Sequence, residues 1–112
     1  MQLDITFRNL RARDSIRERA EALYNKLERF LDPAAEGQLV LTIDHSMAVV
    51  ELVVASHGQT YKVAEEDPEL RTAMDRMFHV MESQLRRSKE RRKEHRGRKS
   101  REDDSGDPME VI

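Results

Sequence analysis

The chain has no cysteine and no tryptophan, and its 112 residues include only four glycines, three prolines and five phenylalanine or tyrosine residues. Without cysteine it can form no disulfide, thiol nucleophile or thiolate metal site, which fits a reducing compartment. The glycines are separated from one another, so there is no glycine-rich phosphate loop. Enzymes that depend on these features are excluded.

Long hydrophobic runs are also missing. No stretch approaches the roughly 18 apolar residues of a membrane-spanning helix, and the start at Met1 lacks the basic and apolar regions of a signal peptide. We therefore expect a cytoplasmic protein without membrane contact. A length of 112 residues fits one domain, because domains of about 100 to 150 residues are the most common.

Charge is abundant and unevenly distributed. The formal net charge is −2, but residues 86–101 contain ten lysines or arginines and two glutamates, which is a net charge of +8. Residues 102–112 carry five acidic residues and no basic ones, and residues 1–85 carry fifteen acidic and ten basic residues. A polyanionic partner meets this concentrated basic segment rather than the average charge.

The first part of the chain has the pattern of a strand followed by a helix. Residues that alternate with polar ones mark the strand: Leu3, Ile5 and Phe7. A capping box at Ser15 and Glu18 predicts the start of the helix. Its apolar stripe runs to Phe30, before a stop at Asp32-Pro33.

Three more strands and a second helix are predicted next. Alternating residues between 39 and 64 indicate the strands, with turns at His45-Ser46 and His57-Gly58. Asp67-Pro68 predicts a helix start with Asp67 as N-cap. The apolar face of this helix is formed by Leu70, Ala73, Met74, Met77, Phe78, Met81 and Leu85. We expect its methionines in the core rather than in a peptide-binding groove.

The predicted fold class is α+β. The order is β-α-β-β-β-α, with two helices on one face of a four-stranded, mainly antiparallel sheet. The second helix is expected over residues 68–96, about 44 Å at about 1.5 Å per residue, so its second half should overhang strands of about 17 to 20 Å. One domain is predicted over residues 1–96, and residues 97–112 are expected to form a disordered acidic tail.

The basic segment is the strongest functional candidate. After Leu85 the cations point all round the helix axis, so we expect no core-facing side there. Such a helix is either solvated or surrounded by anions, and its charge density favours RNA or DNA contact. The alternative is a protein-interaction module whose basic helix binds an acidic partner or self-associates. The acidic tail either shields the helix or is a solvated end.

No residue pattern indicates catalysis. The four histidines at 45, 57, 79 and 95 lack metal-ligand spacing, so no metal site is predicted. Glu65, Glu66 and Asp67 resemble paired catalytic carboxylates, but their position before Pro68 favours helix capping. We predict no enzyme activity, no catalytic residue, no cofactor and no small-molecule substrate.

Four short segments resemble the ribosome hibernation promoting factor and ribosome-associated inhibitor (protein Y) family. They are Met1-Gln-Leu-Asp-Ile-Thr6, Lys26-Leu-Glu-Arg-Phe30, Ala73-Met-Asp75 and Gln84-Leu-Arg-Arg-Ser-Lys89. Their order and spacing over residues 1–96 carry the resemblance, and the length with an acidic end is similar to the short form of the family.

The resemblance implies a domain shaped like double-stranded-RNA-binding domains that docks on the small ribosomal subunit. Such proteins occupy the tRNA and mRNA channel at the decoding region and silence idle ribosomes in stress or stationary phase. It implies rRNA-binding positions on both helices: Lys26 and Arg29 on the first, and Arg86, Arg87, Lys89, Arg91, Arg92 and Lys93 on the second. The free protein is expected to be a monomer.

Overall fold

The computed structural model describes the backbone of residues 1–101 and the side chains of residues 1–93. The strands are β1 (Gln2–Arg8), β2 (Glu36–Asp44), β3 (Met47–Ser56) and β4 (Gln59–Asp67). The helices are α1 (Asp14–Asn25) and α2 (Leu70–Arg101), and a short 3-10 helix spans Glu28–Phe30. The predicted order β-α-β-β-β-α is confirmed.

The four strands form one mixed sheet in the order β1-β2-β3-β4. β1 pairs with β2 in parallel, and the other two pairs are antiparallel. The parallel pair needs a crossover connection, which α1 supplies. Ile5, Leu39, Leu52 and Val63 are paired in register and form one row across the sheet. This row faces the helices, as the burial of its last three members shows.

Both hairpins use two-residue turns in the left-handed region. His45 and Ser46 have φ values of 51° and 69°, and His57 and Gly58 have φ values of 53° and 72°. Two successive residues with positive φ give the turn whose twist matches that of antiparallel strands. The predicted turn positions are therefore confirmed.

The core lies between the sheet and the two helices. The seven apolar residues predicted on α2 are each at most 5% exposed, and Met74, Met77 and Met81 are fully buried. Burying such a side chain stabilises the fold by about 1.5 to 3 kcal/mol. The methionines thus belong to the core, as predicted, and both helices cover the same face of the sheet.

The predicted boundaries of the first helix were wrong at both ends. α1 begins at Asp14, and its N-cap Arg13 makes no side-chain capping bond. Ser15 therefore lies inside the first turn, where it cannot form the predicted box. The helix ends at Asn25, and the chain tightens into the 3-10 helix so that Phe30 reaches a buried position beside α2.

The ends of α2 also differ from the prediction. Asp67 is the last residue of β4, and its carboxylate accepts a 2.9 Å hydrogen bond from the Glu69 backbone N–H before the helix begins at Leu70. At the other end α2 passes through Gly97 to Arg101. One glycine costs a helix only about 1 kcal/mol, and its neighbours are good helix formers. The predicted tail beyond Arg101 lies outside the described residues.

Candidate nucleic-acid interface

The basic half of α2, which begins at Arg86, still contacts the rest of the domain beyond Leu85. Ser88 is only 3% exposed, and its Oγ lies 2.6 Å from the Tyr61 hydroxyl on β4. Lys89 Nζ donates to the backbone carbonyl of Arg29 at 3.1 Å. The expectation that nothing after Leu85 faces the core was therefore wrong. The spacing of Met81, Leu85 and Ser88 continues the buried side of the helix with a small polar residue.

Three of the predicted RNA-binding cations converge on one aromatic ring. The guanidinium carbon of Arg29 lies 4.8 Å from the centroid of the Phe30 ring, and Arg86 and Lys89 each lie 5.7 Å from it. The negative face of an aromatic ring attracts cations at such distances. Phe30 thus holds together positive groups from the 3-10 helix and from α2.

One carboxylate lies at the edge of this cluster. Glu82 Oε2 is 2.7 Å from Arg86 Nη2, one turn further along α2, and 4.0 Å from Arg29 Nη2. An exposed pair at this helical spacing stabilises a helix by about 0.2 to 0.5 kcal/mol. Glu82 therefore orients the two arginines and partly neutralises them.

Beyond Phe30 the cations surround an open depression with a volume of about 680 Å³. It lies between the β3–β4 turn, the segment after the 3-10 helix, and α2. Five predicted site residues line it: Arg29, Lys89, Arg91, Arg92 and Lys93. Among side chains 1–93 the other lining residues are Leu31, His57, Gln59 and Ser88, none of which carries a negative charge.

The remaining predicted cations do not line this depression. Arg86 packs on Phe30, Arg87 is exposed on α2, and Lys26 is exposed at the C-terminal cap of α1. The prediction that Lys26 and Arg29 lie on the first helix was wrong, because α1 ends at Asn25 and Arg29 lies in the 3-10 helix. The resulting basic surface is formed mainly by α2.

Sequence reasoning missed His57, Gln59 and Ser88. The first two lie at a hairpin turn, and only the packing of that turn against α2 brings them to the basic residues. Ser88 had a recognisable signal, because it follows Leu85 by three residues and Met81 by seven. A polar residue at a buried helix position usually has a hydrogen-bond partner.

Asp32 fixes two walls of the depression relative to each other. Its carboxylate accepts hydrogen bonds from the backbone N–H groups of His57 at 2.7 Å and Ala34 at 2.8 Å, and its own N–H donates to Ser56 Oγ at 3.0 Å. The bond from His57, followed by that from Ala34, lowers the pKa of Asp32. The ionised carboxylate therefore ties the segment after the 3-10 helix to the β3–β4 turn.

The carboxylates before α2 have structural partners. Arg76 lies 3.6 Å from Glu65 and 3.2 Å from Asp67. The Glu69 backbone N–H is the main cause that lowers the pKa of Asp67, and Arg76 adds to it. Among side chains 1–93, no three His, Asp or Glu residues are grouped as metal ligands. Within the described chain, no helix has the length and apolar character needed to span a membrane.

Comparisons with known proteins agree with this architecture. The family model described as "Sigma 54 modulation protein / S30EA ribosomal protein" matches residues 3–93. Ribosome hibernation promoting factors from Klebsiella oxytoca and Escherichia coli (strain K12) are each 25% identical over 95 residues, covering 85% of this chain and all of theirs. These matches confirm the resemblance found in the sequence.

Two solved structures share the fold. The Thermus thermophilus Protein Y N-terminal domain is 31% identical with a TM-score of 0.71, and the match covers 78% of this chain and 98% of that one. A ribosomal subunit interface protein from Coxiella burnetii is 22% identical with a TM-score of 0.67, covering 80% and 98%. With the family model matched over residues 3–93, the chain belongs to the sigma 54 modulation protein / S30EA ribosomal protein family.

Proposed function

We propose that this protein is a ribosome hibernation factor that binds rRNA of the small ribosomal subunit at the decoding region and silences idle ribosomes. It acts in the cytoplasm, as a monomer when free, and without enzymatic chemistry. Family membership and the names of its relatives support the ribosome as its target. The proposed rRNA contacts are Lys26, Arg29, Arg86, Arg87, Lys89, Arg91, Arg92 and Lys93.

The observation that carries the proposal is the continuous basic surface of α2 and the 3-10 helix. Arg29 and Lys89 pack on Phe30 and also line the depression, so the two groups of cations are joined, and this surface belongs to a folded domain rather than to a loose tail. Such a surface neutralises phosphates and releases their counterions. It is suited to the shape and backbone of RNA more than to sequence, because phosphate contacts position a protein and do not read bases.

Inhibition follows from occupation of space. A helix of 32 residues is about 48 Å long at about 1.5 Å per residue, and it is anchored at one end by its apolar face. A protein of this form, bound along the path of mRNA and tRNA, excludes both ligands without any reaction. The geometry therefore favours a steric inhibitor over a catalyst.

The test is binding to purified small subunits, measured by co-sedimentation over a range of salt concentrations. Replacing the exposed Arg87, Arg91 and Lys93 by Gln should weaken binding. Each lost phosphate contact removes about 0.7 to 0.9 from the slope of log K against log salt, which at 0.1 M salt is about a five- to eightfold loss. Three contacts together should cost about a hundredfold or more.

A charge-matched control replaces Arg8, Arg11 and Lys62, which are exposed elsewhere on the domain, by Gln. Both triple variants have the same net charge, so the control should bind almost as well as the unmodified protein. Equal losses in the two variants would contradict a localised RNA-binding surface. Self-association of the free protein in light scattering, with unchanged subunit binding by the α2 variant, would favour the protein-interaction alternative.

A further inference from the structure

The depression beside α2 contains a chain of hydrogen bonds in addition to its charges. Arg92 Nη1 donates to Ser88 Oγ at 3.2 Å, Ser88 Oγ lies 2.6 Å from Tyr61 Oη, and the Tyr61 hydroxyl donates to Gln59 Oε1 at 2.8 Å. Arg92 can only donate and the Gln59 carboxamide oxygen can only accept, so the two ends of this chain have a defined direction, with the hydroxyls of Ser88 and Tyr61 between them.

These hydrogen bonds determine which atoms of the Gln59 carboxamide are available to a ligand. The carboxamide oxygen accepts from Tyr61, and Ser88 Oγ lies 3.5 Å from the same oxygen. The carboxamide N–H groups take no part in this chain of hydrogen bonds, and because Gln59 lines the depression they can serve as donors to a ligand there. The same chain holds the Arg92 guanidinium against the wall, where it is half-buried. The site thus presents an oriented neutral donor among cations.

The lining selects a ligand that is anionic and rich in acceptors. Arg29, Lys89, Arg91, Arg92 and Lys93 supply positive charge, and none of the carboxylates among side chains 1–93 lines the depression. Asp32, which lies near His57, directs its oxygens to backbone N–H groups instead. A phosphate with an adjoining oxygen or nitrogen acceptor matches this combination of charges and N–H donors.

The shape of the depression further restricts the kind of ligand that it can bind. A volume of about 680 Å³ lies within the range of about 300 to 1,000 Å³ that is usual for sites of small organic groups. Leu31, which is 8% exposed, gives it an apolar patch. A regular RNA duplex presents its phosphates on a convex surface and keeps its bases stacked inside, whereas an unpaired nucleotide protrudes and can enter a concave site.

We propose that this depression binds one unpaired nucleotide of RNA. The cations hold its phosphate, Leu31 and the aliphatic stems of Lys89 and Arg92 contact its apolar parts, and the Gln59 amide donates to an acceptor on its base or ribose. This inference rests on the proposed function in taking RNA as the ligand. It adds that the domain prefers unpaired RNA and that a neutral residue on the β3–β4 turn contributes to binding.

The experiment compares two fluorescent RNA probes, a single strand of about ten nucleotides and a blunt hairpin duplex, by fluorescence anisotropy. The unmodified protein should bind the single strand more tightly. Gln59→Met keeps the length of the side chain and removes its donor, so it should weaken single-strand binding by about five- to twentyfold. Because no charge is lost, the slope of log K against log salt should not change. Gln38→Met, on the open face of the sheet, should bind normally.

Three results would overturn the inference: full binding by Gln59→Met, equal affinity for the two probes, or competition by a free mononucleotide as effective as that of the unlabelled single strand. Sedimentation of Gln59→Met with small subunits separates this inference from the proposed function. If the Arg87, Arg91 and Lys93 variant fails to bind subunits while Gln59→Met binds normally, the inference fails alone. If Gln59→Met loses single-strand binding but no form of the protein binds subunits, the proposed function fails alone.

Discussion

The two halves of α2 are one continuous helix with opposite relations to water. From Leu70 to Leu85 its apolar face is buried against the sheet, with Met74, Met77 and Met81 fully covered. From Arg86 to Lys93 it carries six cations and one carboxylate, and the groups it keeps near the domain are polar. The first half therefore contributes most to stability, and in the proposed function the second half supplies the surface that meets the partner.

Contacts at the start of the basic half join the stabilising part of α2 to its charged part. Ser88 and Lys89 make hydrogen bonds to β4 and to the 3-10 helix at the start of the basic half. The charged segment thus has a fixed direction, which reduces the conformational entropy lost when it binds. A charged tail joined by a flexible linker lacks this advantage.

The largest expected effect is loss of stability from the first half. Met77 is fully buried, so Met77→Ala should lower the free energy of unfolding by about 2 to 5 kcal/mol through lost contacts and a cavity. The matched change Arg87→Ala, in the exposed half, should alter it by no more than about 0.5 kcal/mol. Urea denaturation measures both values. Similar losses from the two variants would contradict the division of roles.

A smaller loss of stability is expected at low pH, and it should come from the contact between α1 and the first half of α2. Arg19 on α1 holds Asp75 on α2 by two 2.8 Å hydrogen bonds, which lower the pKa of Asp75. A carboxylate with a lowered folded-state pKa contributes stability above its unfolded pKa of about 3.9, and that contribution is lost as the pH falls through the folded value. Stability should therefore decrease below about pH 4.

The variant Asp75→Asn isolates this contribution. It should be less stable than the unmodified protein at pH 7, and the two should converge as the pH falls through the lowered folded-state pKa of Asp75, because the carboxyl group is then protonated in both the folded and the unfolded state. Thermal unfolding followed by circular dichroism across this range measures the difference. A constant difference at all pH values would show that the ionised pair is not responsible. Asp4→Asn, at an exposed site on β1, is the control.

The smallest effect is expected at the junction of the two halves. Glu82 contacts Arg86 and Arg29, so Glu82→Gln should free both for phosphate and raise RNA affinity about two- to threefold at low salt. The lost pair should cost about 0.2 to 0.5 kcal/mol of stability. Anisotropy titration and urea denaturation check the two values. Weaker RNA binding would show that Glu82 is needed to orient the arginines.

The sequence predicted the elements that depend on local pattern. Alternation revealed the strands, and the spacing of Leu70 to Leu85 identified the buried side of α2, because each signal extends over several residues. The turn at His57-Gly58 was predicted from residue type, and the turn at His45-Ser46 from the break between two strand patterns. A mainly antiparallel sheet with two helices on one face then followed from the element order, and the structure identified β1 and β2 as its parallel pair.

The missed features depend on contacts between distant residues. Nothing local ends α1 at Asn25; the 3-10 helix forms where Phe30 can pack beside α2. Ser88 is buried because Tyr61 lies opposite it, and Tyr61 is 27 residues away along the chain. Gln59 and His57 join the basic residues by the same long-range packing. The ends of the helices and the set of residues that line the depression were therefore the hardest features to predict.

The separation of charge along the molecule has a kinetic consequence. Residues 1–85 carry fifteen acidic and ten basic residues and residues 86–101 have a net charge of +8, so the part of the chain that the structure describes has an electric dipole directed along α2. Near a polyanion this dipole experiences a torque that turns the basic end forward before any contact is made. Encounters that begin in the wrong orientation are thus corrected during diffusion, and the association rate should fall steeply as salt is added.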